Sequence, residues 1–127
     1  MSYKFNRRAQ LIVTKVRVFG PLGDAVIEMA LDTGASSSVI GWQALRLVGY
    51  QPIDAFEHVE MTTGSGVANV PRIKVRRIEA FGRRRNGLGV IGHSLPESAS
   101  VDGLLGLDFF RRCRLTIDFR RSTVRID

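Results

Sequence analysis

The sequence predicts an all-β fold, and three observations carry that reading. Apolar and polar residues alternate with a period of two through most of the chain. Glycine- and proline-rich turns punctuate these runs at short intervals. The 127 residues, 44% of them hydrophobic and 24% charged, suit one globular domain over residues 1–127, a sandwich or a barrel.

The elements follow in order. Residues 11–18 alternate as a strand, Gly20-Pro21-Leu22-Gly23-Asp24 turns, and residues 25–31 return. Val39-Ile40 is a short apolar strand, and Gly41 precedes a helix over residues 42–48 that Gly49 closes. Residues 58–62 and 67–71 flank Gly64-Ser65-Gly66 as a hairpin with a pliable tip. Residues 72–81 and 89–91 flank a basic segment ending in Asn86-Gly87, a strong hairpin-turn pair. A second short helix is expected over residues 107–112, begun near Asp108. Residues 115–119 and 124–126 then form a last strand pair around the Arg120-Arg121-Ser122 turn.

Charge and composition narrow the function. Lys and Arg number 19 against 12 Asp and Glu, a net +7. Residues 1–71 hold six basic and six acidic residues, so the surplus lies in residues 72–127, with 13 basic and six acidic. The arginines cluster as Arg76-Arg77, Arg83-Arg84-Arg85, Arg111-Arg112 and Arg120-Arg121 beside apolar runs, which reads as solvated hairpin tips. No recognised helical nucleic-acid module accompanies them, so no nucleic-acid partner is expected. One cysteine excludes an intrachain disulfide and a Cys-rich zinc site, and neither metal nor cofactor is expected. No apolar run reaches membrane-spanning length and residues 1–8 lack a signal-like apolar core, so the expected compartment is the cytoplasm. Gly87-Leu88-Gly89-Val90-Ile91-Gly92 matches a dinucleotide-binding pattern by letter, but neither a preceding buried strand nor a following helix start is visible.

Asp32-Thr33-Gly34 carries the chemistry. A carboxylate and a hydroxyl sit in a sharp glycine turn between the apolar runs ending at Leu31 and beginning at Val39. An apolar setting disposes a carboxylate to share a proton. With Ala30-Leu31 before it and Ala35-Ser36 after it, the turn resembles the active-site turn of retropepsin-like (retroviral-type) aspartic proteases. Val101-Asp102-Gly103-Leu104-Leu105-Gly106-Leu107-Asp108-Phe109-Phe110 is similar to the family's second apolar block, and Leu115-Thr116-Ile117-Asp118-Phe119 to the strand after it.

The resemblance implies a closed acid-protease barrel with a β-hairpin flap and one or two short helices, one lobe per chain. It implies an aspartic endopeptidase in which Asp32 of two identical chains activates one water. Thr33 would lock the two turns together, and Gly34 would allow close backbone approach to the carboxylates. Substrate, an extended polypeptide, would meet Ala35, the flap residues Thr63, Gly64, Ser65 and Gly66, and Leu104 and Leu105. Both chain termini become candidates for a shared interface sheet. Ala35 offers no hydroxyl to the carboxylate, so a mildly acidic to near-neutral optimum is expected. Asp102 reads as a turn residue and Cys113 as a packing residue. The alternative function is a catalytically weak binding module whose basic C-terminal part docks an acidic protein or RNA.

Overall fold

The computed structural model describes residues 1–127 apart from the side chain of Thr63, so the expectation placed on that residue lies outside the described residues. Ten strands form: β1 (Ser2–Lys4), β2 (Val13–Gly20), β3 (Gly23–Leu31), β4 (Val39–Ile40), β5 (Glu57–Thr63), β6 (Gly66–Ala80), β7 (Arg83–Gly92), β8 (Gly103–Leu105), β9 (Leu115–Asp118) and β10 (Thr123–Ile126). One α-helix, α1 (Trp42–Leu47), and two 3₁₀ turns complete the chain.

The larger sheet runs β2-β3-β8-β4-β7-β6-β5, and β2 also pairs with β6, which closes six of these strands into a barrel with β5 outside the ring. The seam is short, joining Arg17, Val18 and Phe19 to Glu79, Ile78 and Arg77. Strand alternation explains the closure. Val16, Val18, Ile27, Met29, Ile73, Val75 and Ile78 point inward and are buried, while Lys15, Arg17, Glu28, Lys74 and Arg76 between them face water. Leu45 and Val48 of the α1 segment fill one end of this core.

Tyr50 reinforces the seam. Its hydroxyl accepts the Arg76 N–H at 2.9 Å and donates to the Phe19 carbonyl at 2.9 Å, tying β6 to β2. Tyr50→Phe leaves two backbone groups unpaired in a 5% exposed site. The expected loss is about 1–3 kcal/mol, read as a lower urea midpoint at unchanged m-value.

The structure corrects two local expectations and gives the glycines of residues 87–92 their place. The turn between β6 and β7 is Phe81-Gly82, both at positive φ (53° and 71°), and Asn86-Gly87 lies within β7. Packing decides this, because Phe81 is buried with its ring 5.6 Å from Tyr3 and 6.3 Å from Phe110, which anchors the turn there. Residues 107–112 form successive turns rather than a helix. Phe109 and Phe110 donate to carbonyls three residues back, and Asp108 spends its carboxylate on a distant segment described below. The glycine pattern of residues 87–92 falls wholly on β7, and Gly92 makes room for the Trp42 ring, which a Cβ would meet at 2.6 Å.

The termini pair with each other within one chain. β1 joins β10 antiparallel and β10 joins β9, giving a separate three-stranded sheet. Val124 and Ile126 face the core, and Ser2, Lys4, Thr116, Thr123 and Arg125 share the opposite face.

Candidate active site

Asp32 lies just past the end of β3, where the parallel pair β3–β8 delivers it. Its backbone N–H donates to the Leu105 carbonyl at 2.9 Å, and the Leu31 N–H donates to the Ile12 carbonyl at 2.8 Å. The turn is therefore pinned on both sides. Gly34 N–H donates to Asp32 Oδ1 at 2.9 Å, orienting the carboxylate. A Cβ on Gly34 would sit 3.2 Å from that same oxygen, so glycine leaves room for the contact. Asp32 is half-buried, while Thr33 and Gly34 are exposed.

A buried relay supports the turn from below. Asp108 accepts Ser38 N–H on Oδ2 at 2.9 Å and Ser38 Oγ–H on Oδ1 at 2.7 Å. Ser38 Oγ in turn accepts Gly106 N–H at 2.9 Å, and Leu107 N–H donates to the Ala35 carbonyl at 2.8 Å. Gly106 permits this closeness, since a Cβ there would meet the Ala35 carbonyl oxygen at 2.7 Å. Ser38 is fully buried in this arrangement. The sequence reading missed Ser38 and took Asp108 for a helix start. The available signal was a serine directly before the apolar pair Val39-Ile40, where strand alternation turns it inward.

A cavity of about 420 Å³ opens between the Asp32 turn and the β5–β6 hairpin. Gly34 and Ala35 line it on the turn side, Val59 and Met61 on the hairpin side, with Leu104 and Ile91 at its floor. Ala35 and Leu104, two of the expected substrate contacts, are thus both on the wall of this cavity. Leu105 is fully buried and touches the site through its carbonyl. Gly64 and Ser65 form the two-residue tip between β5 and β6, and Gly66 follows at φ 122°. None of the three lines the cavity.

Arg72 is a second residue the sequence reading passed over. It is half-buried on the cavity wall, with Nη1 2.9 Å from the Gly89 carbonyl and 3.3 Å from Ser37 Oγ, and Nε 3.0 Å from Glu57 Oε1. It therefore braces the hairpin against the active-site segment.

Asp102 belongs elsewhere. Its Oδ2 accepts Glu28 N–H at 2.9 Å, its N–H donates to the Glu28 carbonyl at 2.7 Å, and its carbonyl accepts Gly41 N–H at 2.8 Å. Along the parallel pair it sits at the opposite end from Asp32, roughly 10 Å or more away at ~3.3 Å per residue. Asp102→Asn keeps the side-chain acceptor for Glu28 N–H and is expected to change stability by less than about 1 kcal/mol, read as a nearly unchanged urea midpoint.

Among the described residues, no group of three or more His, Cys, Asp or Glu side chains is placed to hold a metal ion. Nor is any helix long and apolar enough to cross a membrane. Cys113 is half-buried and unpaired beside the Arg85 guanidinium, 3.4 Å from Nη2.

Comparison with known proteins agrees with this architecture. A retropepsin-like aspartic protease from Rickettsia conorii superposes with a TM-score of 0.73 at 16% identity, covering 99% of this chain and 89% of that one. The EIAV protease, solved with the inhibitor HBY-793, superposes with a TM-score of 0.61 at 20% identity, covering 86% of this chain and 92% of that one. At such identities the likeness establishes the fold. No curated protein matches the sequence. The family described as "gag-polyprotein putative aspartyl protease" matches residues 20–112, a span that holds the Asp32 turn, the hairpin and the Leu104-Leu105-Gly106 block. By that match and by its barrel, the chain belongs to the retropepsin-like aspartic protease family.

Proposed function

We propose that residues 1–127 form one domain and that the protein is a homodimeric aspartic endopeptidase. The observation that carries this reading is the placement of Asp32. One carboxylate, oriented by Gly34 N–H, stands on the turn whose Gly34 and Ala35 line the cavity of about 420 Å³, and Thr33 and Gly34 are open to a partner. Hydrolysis through an activated water needs two facing carboxylates, and like charges that close share one proton. The ionised member draws a proton from the water, while the protonated one polarises the scissile carbonyl. Asp102 is held at the far end of the strand pair, so the second carboxylate is Asp32 of another copy, related by a two-fold axis.

Exposed Leu11 and Leu107 flank the turn and supply apolar surface for that contact. Substrate binds as an extended strand in the channel, one side chain entering the cavity beside Ala35 and Leu104. The β5–β6 hairpin, with Thr63, Gly64, Ser65 and Gly66 at its end, closes over the substrate and excludes water. The mechanism asks for neither metal nor cofactor. A single unpaired cysteine suits a reducing compartment such as the cytoplasm.

Incubation of the purified protein with an unstructured polypeptide tests the activity. Fragments that form, and that disappear with a pepstatin-type inhibitor, are the expected result. An intact polypeptide at micromolar protein and mildly acidic pH would refute the proposal.

A further inference from the structure

The terminal sheet and the segments that flank it concentrate the positive charge. Residues 1–8 and 107–127 hold nine of the 19 basic residues and three of the 12 acidic ones, so they carry six of the seven net charges. The three acidic residues each accept hydrogen bonds or pair with arginine, and Asp118 stands at the β9–β10 turn itself. Asp108 is committed to Ser38, Asp118 accepts the Arg121 N–H at 2.9 Å, and Asp127 pairs with Arg125 at 3.0 Å.

At one end of this sheet the basic residues converge. Lys4 pairs with Thr123, and Phe5 N–H donates to the Ser122 carbonyl at 2.9 Å. The N-terminal segment carrying Lys4, Arg7 and Arg8 is thereby laid against the β9–β10 turn carrying Arg120 and Arg121. All five side chains are exposed, and among the described residues none of them forms a salt bridge. An aromatic stands among them. Phe119 is 74% exposed at the turn, held edge-on by Phe5 at 6.1 Å between ring centres.

We propose that this end of the terminal sheet is a binding site for single-stranded nucleic acid. Guanidinium forks pair with phosphates in a bidentate geometry, and four of the five cations are arginines. Phe119 offers an open ring face on which a base stacks, the pairing of basic track and aromatic platform that single-strand binders use. The chain order hid this patch, because its cations come from opposite ends of the sequence. A second copy fits poorly, since a two-fold contact here would bring five cations against five. An anionic membrane is less well served, because Phe119 is the one strongly exposed apolar side chain at this turn. The site does not depend on the proteolytic reading.

The test is fluorescence anisotropy of a labelled 20-nucleotide oligo(dT) and oligo(U) against the full chain over a potassium chloride series. The double variant Arg120→Glu/Arg121→Glu is expected to weaken binding at least roughly tenfold and to flatten the slope of log K against log salt by about 0.7 per lost phosphate contact. Phe119→Ala is expected to weaken binding roughly tenfold with the slope unchanged. Arg83→Glu/Arg84→Glu, an exposed pair on the barrel, serves as the control and is expected to change affinity less than about threefold.

Absence of binding at low salt would overturn the proposal. So would an equal loss in the barrel control, which would mean unspecific charge attraction. Phe119-dependent binding to vesicles of equal phosphatidylglycerol and phosphatidylcholine, without oligonucleotide binding, would assign the surface to membranes instead. A change of oligomeric state in Arg120→Glu/Arg121→Glu would assign it to self-association.

Discussion

Asp32→Asn is expected to lower kcat/KM for a cleaved peptide by at least roughly 10³-fold while the barrel and its oligomeric state persist. An amide can still accept the Gly34 N–H that now reaches Oδ1 at 2.9 Å, so the turn keeps its shape. What it loses is the base. An assembled site of two asparagines can neither draw a proton from water nor return one to the leaving amine. Thermal melting and gel filtration of the variant should match the parent protein. Residual cleavage within about tenfold of the parent would place the chemistry elsewhere.

The second large effect is on stability. Asp108→Ala is expected to cost about 2–4 kcal/mol and to abolish measurable cleavage. The Asp108 carboxylate accepts Ser38 N–H, Ser38 Oγ–H and its own neighbour's Phe109 N–H at 2.9, 2.7 and 2.9 Å. Removing it strands two donors on Ser38, which is fully buried. The consequence reaches the catalytic turn, because Ser38 Oγ holds Gly106 and the neighbouring Leu107 holds the Ala35 carbonyl. Asp108→Asn keeps an acceptor and is expected to lose roughly half as much. Denaturant unfolding of both variants measures the effect. A loss under about 1 kcal/mol for the alanine variant would mean that the relay does not hold the turn.

The sequence made the barrel legible because its strands are amphipathic. Val16 and Val18 alternate with Lys15 and Arg17, so period two assigns both the element and its inner face. The Asp32 turn was legible for a different reason. A carboxylate between two apolar runs is chemically conspicuous in one dimension, and glycine beside it marks a close approach. The supporting residues were not legible, since their meaning is long-range. Ser38 and Asp108 are 70 positions apart and look ordinary until the fold joins them. The Asn86-Gly87 expectation failed on the same ground. Local turn preference lost to the burial of Phe81 against Tyr3 and Phe110, which belong to distant segments. The basic end of the terminal sheet is a third case. Its cations are split between the first eight residues and the last eight, and β1–β10 pairing assembles them.

Joining the termini within one chain also shifts the burden of dimer formation. β1 occupies one edge of β10 and β9 the other, so a partner extends this sheet only at the outer edges of β1 and β9, and otherwise meets the chain elsewhere, as at the Asp32 turn of the barrel. Of these, the turn alone carries the carboxylate. The central claim is therefore that one active site is made from two chains, and subunit mixing tests it most directly. Parent protein is equilibrated with an equal amount of Asp32→Asn protein, and cleavage is measured per parent subunit. Random pairing leaves about half of the parent subunits facing another parent subunit, so activity should fall to about half and continue falling as the variant is added in excess. Activity per parent subunit that stays constant at every ratio, with subunit exchange verified by a labelled chain, would contradict the account and mean that each chain carries a complete site.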